Sequence, residues 1–245
     1  MVSKTKLLAM VKALDSSGVA QALRESPALI EYRDERGRNW LHLCCGIDIK
    51  GSEKKASDSI KIAEALLAAG IAIDQEAFVE GKWKATPLWF VVARGRNLRL
   101  AEYLLKRGAN PNYCLFAAAW NHDVAAIRLL VRHGAEVDDL SVVDLNENET
   151  PFLGAIKWSR FEAAEELLKH GAEVNFQDRK GMTALHYMLK KGSDKKYFAM
   201  LIAHGARGDL KNKDGVTAAE LMRKKKDPDF QKMAEQLASA RHPRA

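Results

Sequence analysis

Little in this sequence favours a membrane span, a disulfide framework or long disorder. Its 245 residues include only 6 prolines and 16 glycines, too few for an extended disordered tract. No apolar run reaches the roughly 20 residues that cross a bilayer. Lys12 and Asp15 break the amino-terminal apolar stretch, so we expect a helix of the folded domain there rather than a signal peptide.

The three cysteines cannot form a paired framework. Two of them, Cys44 and Cys45, are adjacent in the chain, and adjacent cysteines rarely bridge to each other. A buried thiol pair and a reducing, cytoplasmic location fit this usage best.

Motifs of catalysis are also missing. The sequence contains no glycine-rich phosphate loop and no serine nucleophile motif. His122, His133, His170 and His204 recur near glycines, but none has the i, i+4 histidine partner and the carboxylate of a zinc helix. We therefore expect no enzyme activity, no metal and no cofactor.

Charge is unevenly distributed along the chain, whose formal net charge is +7. Residues 178–245 hold 16 lysines and arginines against 8 aspartates and glutamates, whereas residues 1–177 hold 23 against 24. The basic third could attract nucleic acid or an acidic polymer. Its longest basic run, Arg223 to Lys226, lacks interleaved aromatic residues and is followed by Asp227 and Asp229, so a solvated end of the fold explains it adequately.

A short segment recurs that ends a helix on leucines and turns on Gly-Ala. The glycine can supply the left-handed backbone that terminates a helix. The copies are LLAAGIAID (66–74), LLKRGANPN (104–112), LLVRHGAEVD (129–138), LLKHGAEVN (167–175) and LIAHGARGD (201–209).

A second recurring segment precedes most of these copies and is typical of a helix start. A threonine can cap the helix, and proline suits its first position. The copies are GRNWLHLCC (37–45), KATPLWFVVARG (84–95), ETPFLGAIKW (149–158), GMTALHYMLKKG (181–192) and DGVTAAELM (214–222).

Because the two segments alternate at about 33 residues, the chain resembles the ankyrin repeat family over roughly residues 34–222. The resemblance implies an all-α solenoid of stacked helix-turn-helix units with short hairpin-like turns. It also implies that partners dock on the turn tips and on the concave face of the inner helices.

We expect one repeat domain over residues 1–245. Residues 1–33 form an amino-terminal cap, residues 34–211 about five repeats with a loop insertion at 46–59, and residues 212–245 a carboxyl-terminal cap. Asn112 is followed at once by the next helix, so the turn expected there is missing, and an acidic link at 138–149 follows the shortened unit.

Some unusual residues at repeat positions have structural explanations. Trp40 stands at the usual proline position and Trp89 at the usual histidine position, and both are interpreted as packing replacements. His42 and His186 stand at the family's histidine position, where the resemblance implies a bond to the neighbouring turn.

The ends of the inner helices are the first candidate site, since the family displays them on its concave face. Two tryptophans in successive units flanked by cations are typical of an interface anchor. The alternative is that one or both rings cover the shortened unit. The residues are Arg94, Trp120, Asn121, Lys157, Trp158, Lys190 and Lys191, and Trp158 fits the interface interpretation better than Trp120.

The turn tips are the second candidate site. Trp83 and Lys84 lie before Thr86, and Arg179 lies in a later tip. A tryptophan beside lysines suits an acidic, partly apolar surface, although an ordinary solvated turn remains the alternative.

The function expected from these patterns is non-enzymatic protein binding, as an inhibitor, a neutralising partner or an adaptor. The partner is another protein with an acidic and partly apolar surface; we expect no membrane and a monomer when free. The alternatives are nucleic-acid or acidic-polymer binding through the basic third, and a bacterial effector that acts on host proteins.

Overall fold

A computed structural model describes residues 2–50, 55–80, 83–140 and 148–239. Most elements are short helices joined by tight turns. The helices are α1 (Lys4–Ala13), α2 (Ser16–Glu25), α3 (Trp40–Cys45), α4 (Ala56–Ala68), α5 (Pro87–Phe90), α6 (Leu98–Lys106), α7 (Leu115–Trp120), α8 (Val124–Arg132), α9 (Pro151–Lys157), α10 (Phe161–Lys169), α11 (Ala184–Lys191), α12 (Lys195–Ala203), α13 (Ala218–Arg223) and α14 (Pro228–Ser239).

Two less regular elements interrupt this series. A 3₁₀-helix (Pro27–Glu31) follows α2, and a π-helix (Val91–Gly95) continues α5 directly. A hairpin of two antiparallel strands, β1 (Ala77–Glu80) and β2 (Trp83–Ala85), forms the turn tip before α5.

The helices stack in two layers around one continuous core. The inner layer is α3, α5 with its π-helix, α7, α9, α11 and α13, and each member packs against the next. The outer layer is α4, α6, α8, α10 and α12, each connected to the inner helix before it. Since no unit covers its own apolar faces, the pairs are stable only as a stack. The predicted all-α repeat solenoid with hairpin-like turns is confirmed.

Threonine caps begin the inner helices as the sequence indicates. Thr86, Thr150 and Thr217 each accept a hydrogen bond from the backbone N–H three residues later. Proline occupies the first helical position after two of them, at Pro87 and Pro151. The inner helices therefore start at fixed points in the repeat.

The outer helices end on glycines whose backbone is left-handed. Their φ angles lie between +82° and +102° at Gly70, Gly108, Gly134, Gly171 and Gly205. A side chain at such an angle is strained even though open space surrounds the glycine.

A ladder of side chains sets the distance from each outer-helix end to the next. In each rung an aspartate or asparagine oxygen accepts from a backbone N–H one repeat further along, at 2.7 to 3.1 Å. The rungs are Asp74 to Asn110, Asn112 to Glu136, Asp138 to Glu173 and Asn175 to Arg207. These bonds account for the polar residue that closes four of the five glycine segments.

The irregular units follow the sequence analysis in part. Helix α7 begins at Leu115 with no projecting turn before it, and Asp139 accepts a hydrogen bond from the Tyr113 backbone N–H at 2.8 Å. Helix α4 begins at Ala56, so the end of the predicted insertion is helical. Residues 51–54 of that insertion and 141–147 of the acidic link lie outside the described residues.

Both ends of the stack are closed by helix pairs. Leu7, Val11 and Val19 of α1 and α2 are buried at one end, and Ala234 and Leu237 of α14 at the other. Within the described ranges, no helix combines the length and apolar character of a membrane span.

Candidate functional site: an aromatic surface and an arginine cleft

Two tryptophans meet where successive inner helices end. Trp120 is the last residue of α7, and Trp158 follows the last residue of α9. Their ring centroids are 4.2 Å apart, with the rings inclined at 70°. The exposed fraction of Trp120 is 53%, higher than that of any other exposed large hydrophobic residue in the described part of the chain.

Trp158 packs more deeply than its neighbour. It is half-buried, and its ring meets Phe116 edge-on with 5.0 Å between centroids. The glycine at 154 makes room for it, since a Cβ there would lie 3.0 Å from Trp158 Cζ3. Trp158 thus supports the exposed ring of Trp120. The sequence pattern favoured Trp158 as the interface residue, whereas Trp120 is the more exposed of the two. We call Phe116, Trp120 and Trp158 the aromatic surface.

Side chains at the inner-helix ends reach back to the preceding unit. Asn121 Nδ2 donates to the carbonyl oxygens of Val92 and Ala93, both at 3.1 Å. Lys191 Nζ donates to the Lys157 carbonyl and lies 3.3 Å from Ser159 Oγ. Asn121 is therefore occupied within the fold, and Lys191 lies at the edge of the aromatic surface.

Lys157 belongs to a buried polar chain. Its Nζ lies 2.8 Å from Glu149 Oε1, a carboxylate that is only 3% exposed. The same Nζ is 5.0 Å from the ring centroid of Tyr187, whose hydroxyl donates to buried Asp178. Because these residues hold Lys157 in place, we interpret it as a residue that stabilises the junction between repeats and not primarily as a contact for a binding protein.

The remaining predicted contact residues are distributed along the stack. Arg94, Lys190 and Arg179 are exposed, the first two at inner-helix ends and Arg179 at a turn tip. The side chains of Trp83 and Lys84 lie outside the described residues.

Three arginines surround a cleft of about 360 Å³ that the sequence analysis did not identify. Arg36 and Arg38 extend from the first turn tip, and Arg94 from the π-helix. The partly buried rings of Phe78 and Trp89, together with Phe90, line the same space. We call this space the arginine cleft; no signal in the repeat pattern predicts that Arg36 and Arg94 line the same space.

Asp34 organises the tip that carries two of these arginines. Its carboxylate accepts from the backbone N–H groups of Arg36 at 3.0 Å and Arg38 at 2.9 Å, and from Arg38 Nε at 2.7 Å. Although partial burial alone would raise it, these hydrogen bonds hold the pKa of Asp34 below its ordinary value. Arg36 and Arg38 therefore extend from an ordered turn.

The repeat histidines are structural. His186 Nε2 lies 3.1 Å from the Val216 carbonyl of the next turn, which confirms the expected contact, and Nδ1 faces Thr183. His42 Nδ1 lies 2.7 Å from Asn39 Oδ1 at the start of its own helix, a contact like that of His186 Nδ1 with Thr183, and burial lowers the pKa of His42 to about 4. Its ring is therefore neutral at pH 7.

The cysteines and the other histidines show no reactive arrangement. Cys44, Cys45 and Cys114 are buried and unpaired, and burial raises the pKa of the Cys44 thiol to about 12. Among the described residues, no group of three histidines, cysteines or acids is placed to hold a metal ion.

The basic third is partly neutralised. Lys195 lies 2.6 Å from both Asp227 and Asp229, and Arg207 lies 2.8 Å from Asp209. The run from Arg223 to Lys226 is exposed beside these aspartates.

Comparison with known proteins agrees with this architecture. A family model described as ankyrin repeats in three copies matches residues 88–178. Phosphocholine transferase AnkX of Legionella pneumophila is 31% identical over 145 residues, covering 54% of this chain and 14% of that protein. The Gallus gallus Arf-GAP with coiled-coil, ANK repeat and PH domain-containing protein 2 is 35% identical over 82 residues, 33% of this chain and 10% of that protein. This chain thus spans less than a quarter of the length of the curated relatives it matches.

Solved structures resemble the whole stack. The human ASB11 ankyrin repeat domain superposes with a TM-score of 0.69 at 19% identity and covers 100% of both chains. The ankyrin repeat domain of Bcl-3, described as a unique member of the IkappaB protein family, gives 0.72 at 18% identity over 94% of this chain and 97% of its own. These likenesses show the fold. With the repeats matched over residues 88–178 and the capped, glycine-terminated helix pairs, they support an ankyrin repeat protein.

Proposed function

We propose that this chain binds an acidic, partly apolar protein surface through the aromatic surface, with Trp120 as the anchor. Ankyrin repeats are protein-protein interaction modules. The observation that carries the proposal is the 53% exposure of an indole already supported by Trp158. A large ring held in place loses little conformational entropy on binding, which is the property of interface hot spots.

Charge around this surface favours an acidic partner. Lys190 and Lys191 are exposed at the next inner-helix end, and Arg94 at the preceding one. Such cations raise the association rate with an acidic surface more than they raise affinity. Binding itself is the activity, as an inhibitor, a neutralising partner or an adaptor, without catalysis.

A site-specific cross-linking experiment tests the proposal. A photoreactive phenylalanine analogue replaces Trp120 in one sample and exposed Ala203, at the end of outer helix α12, in the other. We expect a protein that cross-links only to the analogue at position 120. This cross-link should disappear when unmodified full-length chain is added as competitor. Equal cross-linking from both positions overturns it.

Nucleic-acid binding is the weaker candidate, because Asp209, Asp227 and Asp229 neutralise part of the basic third. The matched relatives come from a bacterium, a bird and a poxvirus, so they do not distinguish a bacterial effector from other sources. Titration of generic duplex DNA at several salt concentrations separates nucleic-acid binding from protein binding. Phosphate contacts would make the DNA affinity depend steeply on salt concentration.

A further inference from the structure

The arginine cleft has a composition that neither packing nor the aromatic surface explains. Arg36 lies with its Cζ 5.1 Å from the Phe78 ring centroid, and Arg38 with its Cζ 6.0 Å from that of Phe90. Arg94 lines the same space. Among the side chains that the structure describes, no aspartate or glutamate does so.

The local backbone conformation explains how Arg94 reaches the cleft. The unit that begins at Thr86 has a π-helix over Val91–Gly95, closed by the Arg96 N–H to Val91 carbonyl bond at 2.7 Å. π-Helical turns are rare and concentrate at functional sites. This one ends against the preceding inner helix and carries Arg94 to the cleft.

Charge and shape together define the ligand. Three arginines line the cleft, and one of them, Arg38, is already paired with Asp34. The two remaining positive charges match a phosphomonoester, which carries about −1.5 to −2 at pH 7. A single carboxylate would neutralise only one of them. Guanidinium forks suit phosphate oxygens, and rings stack on aromatic walls.

We propose that the arginine cleft binds a phosphorylated tyrosine side chain of a protein partner. The phosphate lies among Arg36, Arg38 and Arg94, and the phenyl ring lies against Phe78 and Trp89. The inference rests on the proposed function only in that the phosphotyrosine belongs to a protein. The cleft contains none of the three rings of the aromatic surface; the two proposals share only Arg94, which lines the cleft and adds positive charge beside that surface.

Small probes test this cleft without an identified partner. N-acetyl-phosphotyrosine amide is titrated into the full chain by calorimetry and by side-chain NMR of the arginine Nε–H groups. Parallel titrations use N-acetyl-tyrosine amide, N-acetyl-phosphoserine amide, inorganic phosphate and oligothymidylates of increasing length.

The expected result is binding of the phosphotyrosine probe at least tenfold tighter than each of the other small probes. Arg36→Gln and Arg94→Gln weaken it at least fivefold, and Arg94→Lys retains part of the affinity. The matched control is Arg99→Gln, an exposed arginine on the outer helix of the same repeat, which leaves the affinity within twofold. Unchanged thermal melting shows that every variant is folded.

Three outcomes overturn the proposal. Inorganic phosphate that binds as tightly indicates a simple anion site, and oligothymidylate affinity that grows with length indicates nucleic acid. No binding of the phosphotyrosine probe rejects the site outright. Trp120→Ala is titrated in parallel and leaves the phosphotyrosine affinity unchanged, so failure here is distinguishable from failure of the aromatic surface.

Discussion

Trp120 rests edge-on against Trp158, with 4.2 Å between ring centroids, and only Trp120 is mostly open to solvent. The two tryptophans have different roles, packing and exposure, that the sequence does not distinguish. Trp158 fills the space beside Gly154 and Phe116, whereas Trp120 displays its ring. A support that holds an exposed indole reduces the entropy lost on binding.

The two tryptophans are expected to differ in their contribution to stability. Trp158→Ala leaves a void beside Phe116 and lowers the free energy of unfolding by about 2 kcal/mol, less than a fully buried ring would cost. Trp120→Ala loses one ring contact and costs about 1 kcal/mol or less. Urea denaturation measures both, and equal losses would contradict the assignment of support and display.

Lys157 is expected to stabilise the fold through Glu149. Lys157→Ala leaves a carboxylate that is 3% exposed without its lysine and costs about 3 kcal/mol. The control, exposed Lys190→Ala, changes stability by about 0.5 kcal/mol at most. Chemical denaturation compares the two, and a double variant with Glu149→Gln recovers part of the loss. If Lys157→Ala and Lys190→Ala behave alike, the buried pair has no such role.

Gly95 is required by a close approach between neighbouring inner helices. A Cβ at this position would lie 2.2 Å from the Cys45 carbonyl oxygen and 3.2 Å from that of Ile47. Because both contacts are backbone, Gly95→Ala is expected to cost about 2 kcal/mol or more.

Gly46→Ala is the matched control for Gly95→Ala. Gly46 has φ −80°, and its nearest Cβ contact is 3.4 Å, so the change is expected within about 1 kcal/mol of neutral. Thermal and urea unfolding measure both variants. A tolerated Gly95→Ala would reject the close π-helix packing.

The free energy of unfolding is expected to decrease as the pH is lowered from about 6.5 to 4. Burial lowers the folded-state pKa of His42 to about 4, so the unfolded chain binds the proton first as pH falls through 6.5. The lost stabilisation is roughly 2–3 kcal/mol at pH 4, and none is lost above pH 7. His186, whose pKa burial also lowers, acts in the same direction.

Urea denaturation at half-unit pH steps checks this sign. His42→Gln removes the Asn39 contact and lowers stability overall, so the informative quantity is the slope. The slope between pH 6.5 and 5 is expected to decrease in the variant. An unchanged slope would show that His42 is not the group that titrates.

The repeat architecture could be predicted from the sequence because its causes are local. A threonine cap, an initial proline and a terminating glycine act within one turn, and they recur in phase. The absent turn before Leu115 is visible for the same reason. The bond between His186 and the next turn follows from its repeat position.

The candidate sites were less predictable because their causes lie between repeats. Asn121 stands at a displayed position, yet its amide bonds to Val92 and Ala93 in the preceding unit. The roles of Trp120 and Trp158 depend on the space that Gly154 leaves. Both Arg36 and Arg94 line the arginine cleft, and Arg94 reaches it from the π-helix. No short-range sequence pattern predicts that these two residues share a cleft.

The affinity of the partner that cross-links at position 120 shows whether Trp120 anchors the complex. Calorimetry gives its dissociation constant for the unmodified chain, for Trp120→Ala and for Leu98→Ala, an exposed hydrophobic residue at 36%. We expect about a thirtyfold loss of affinity for Trp120→Ala, equivalent to about 2 kcal/mol, and less than a twofold change for Leu98→Ala. An unchanged dissociation constant for Trp120→Ala would contradict it.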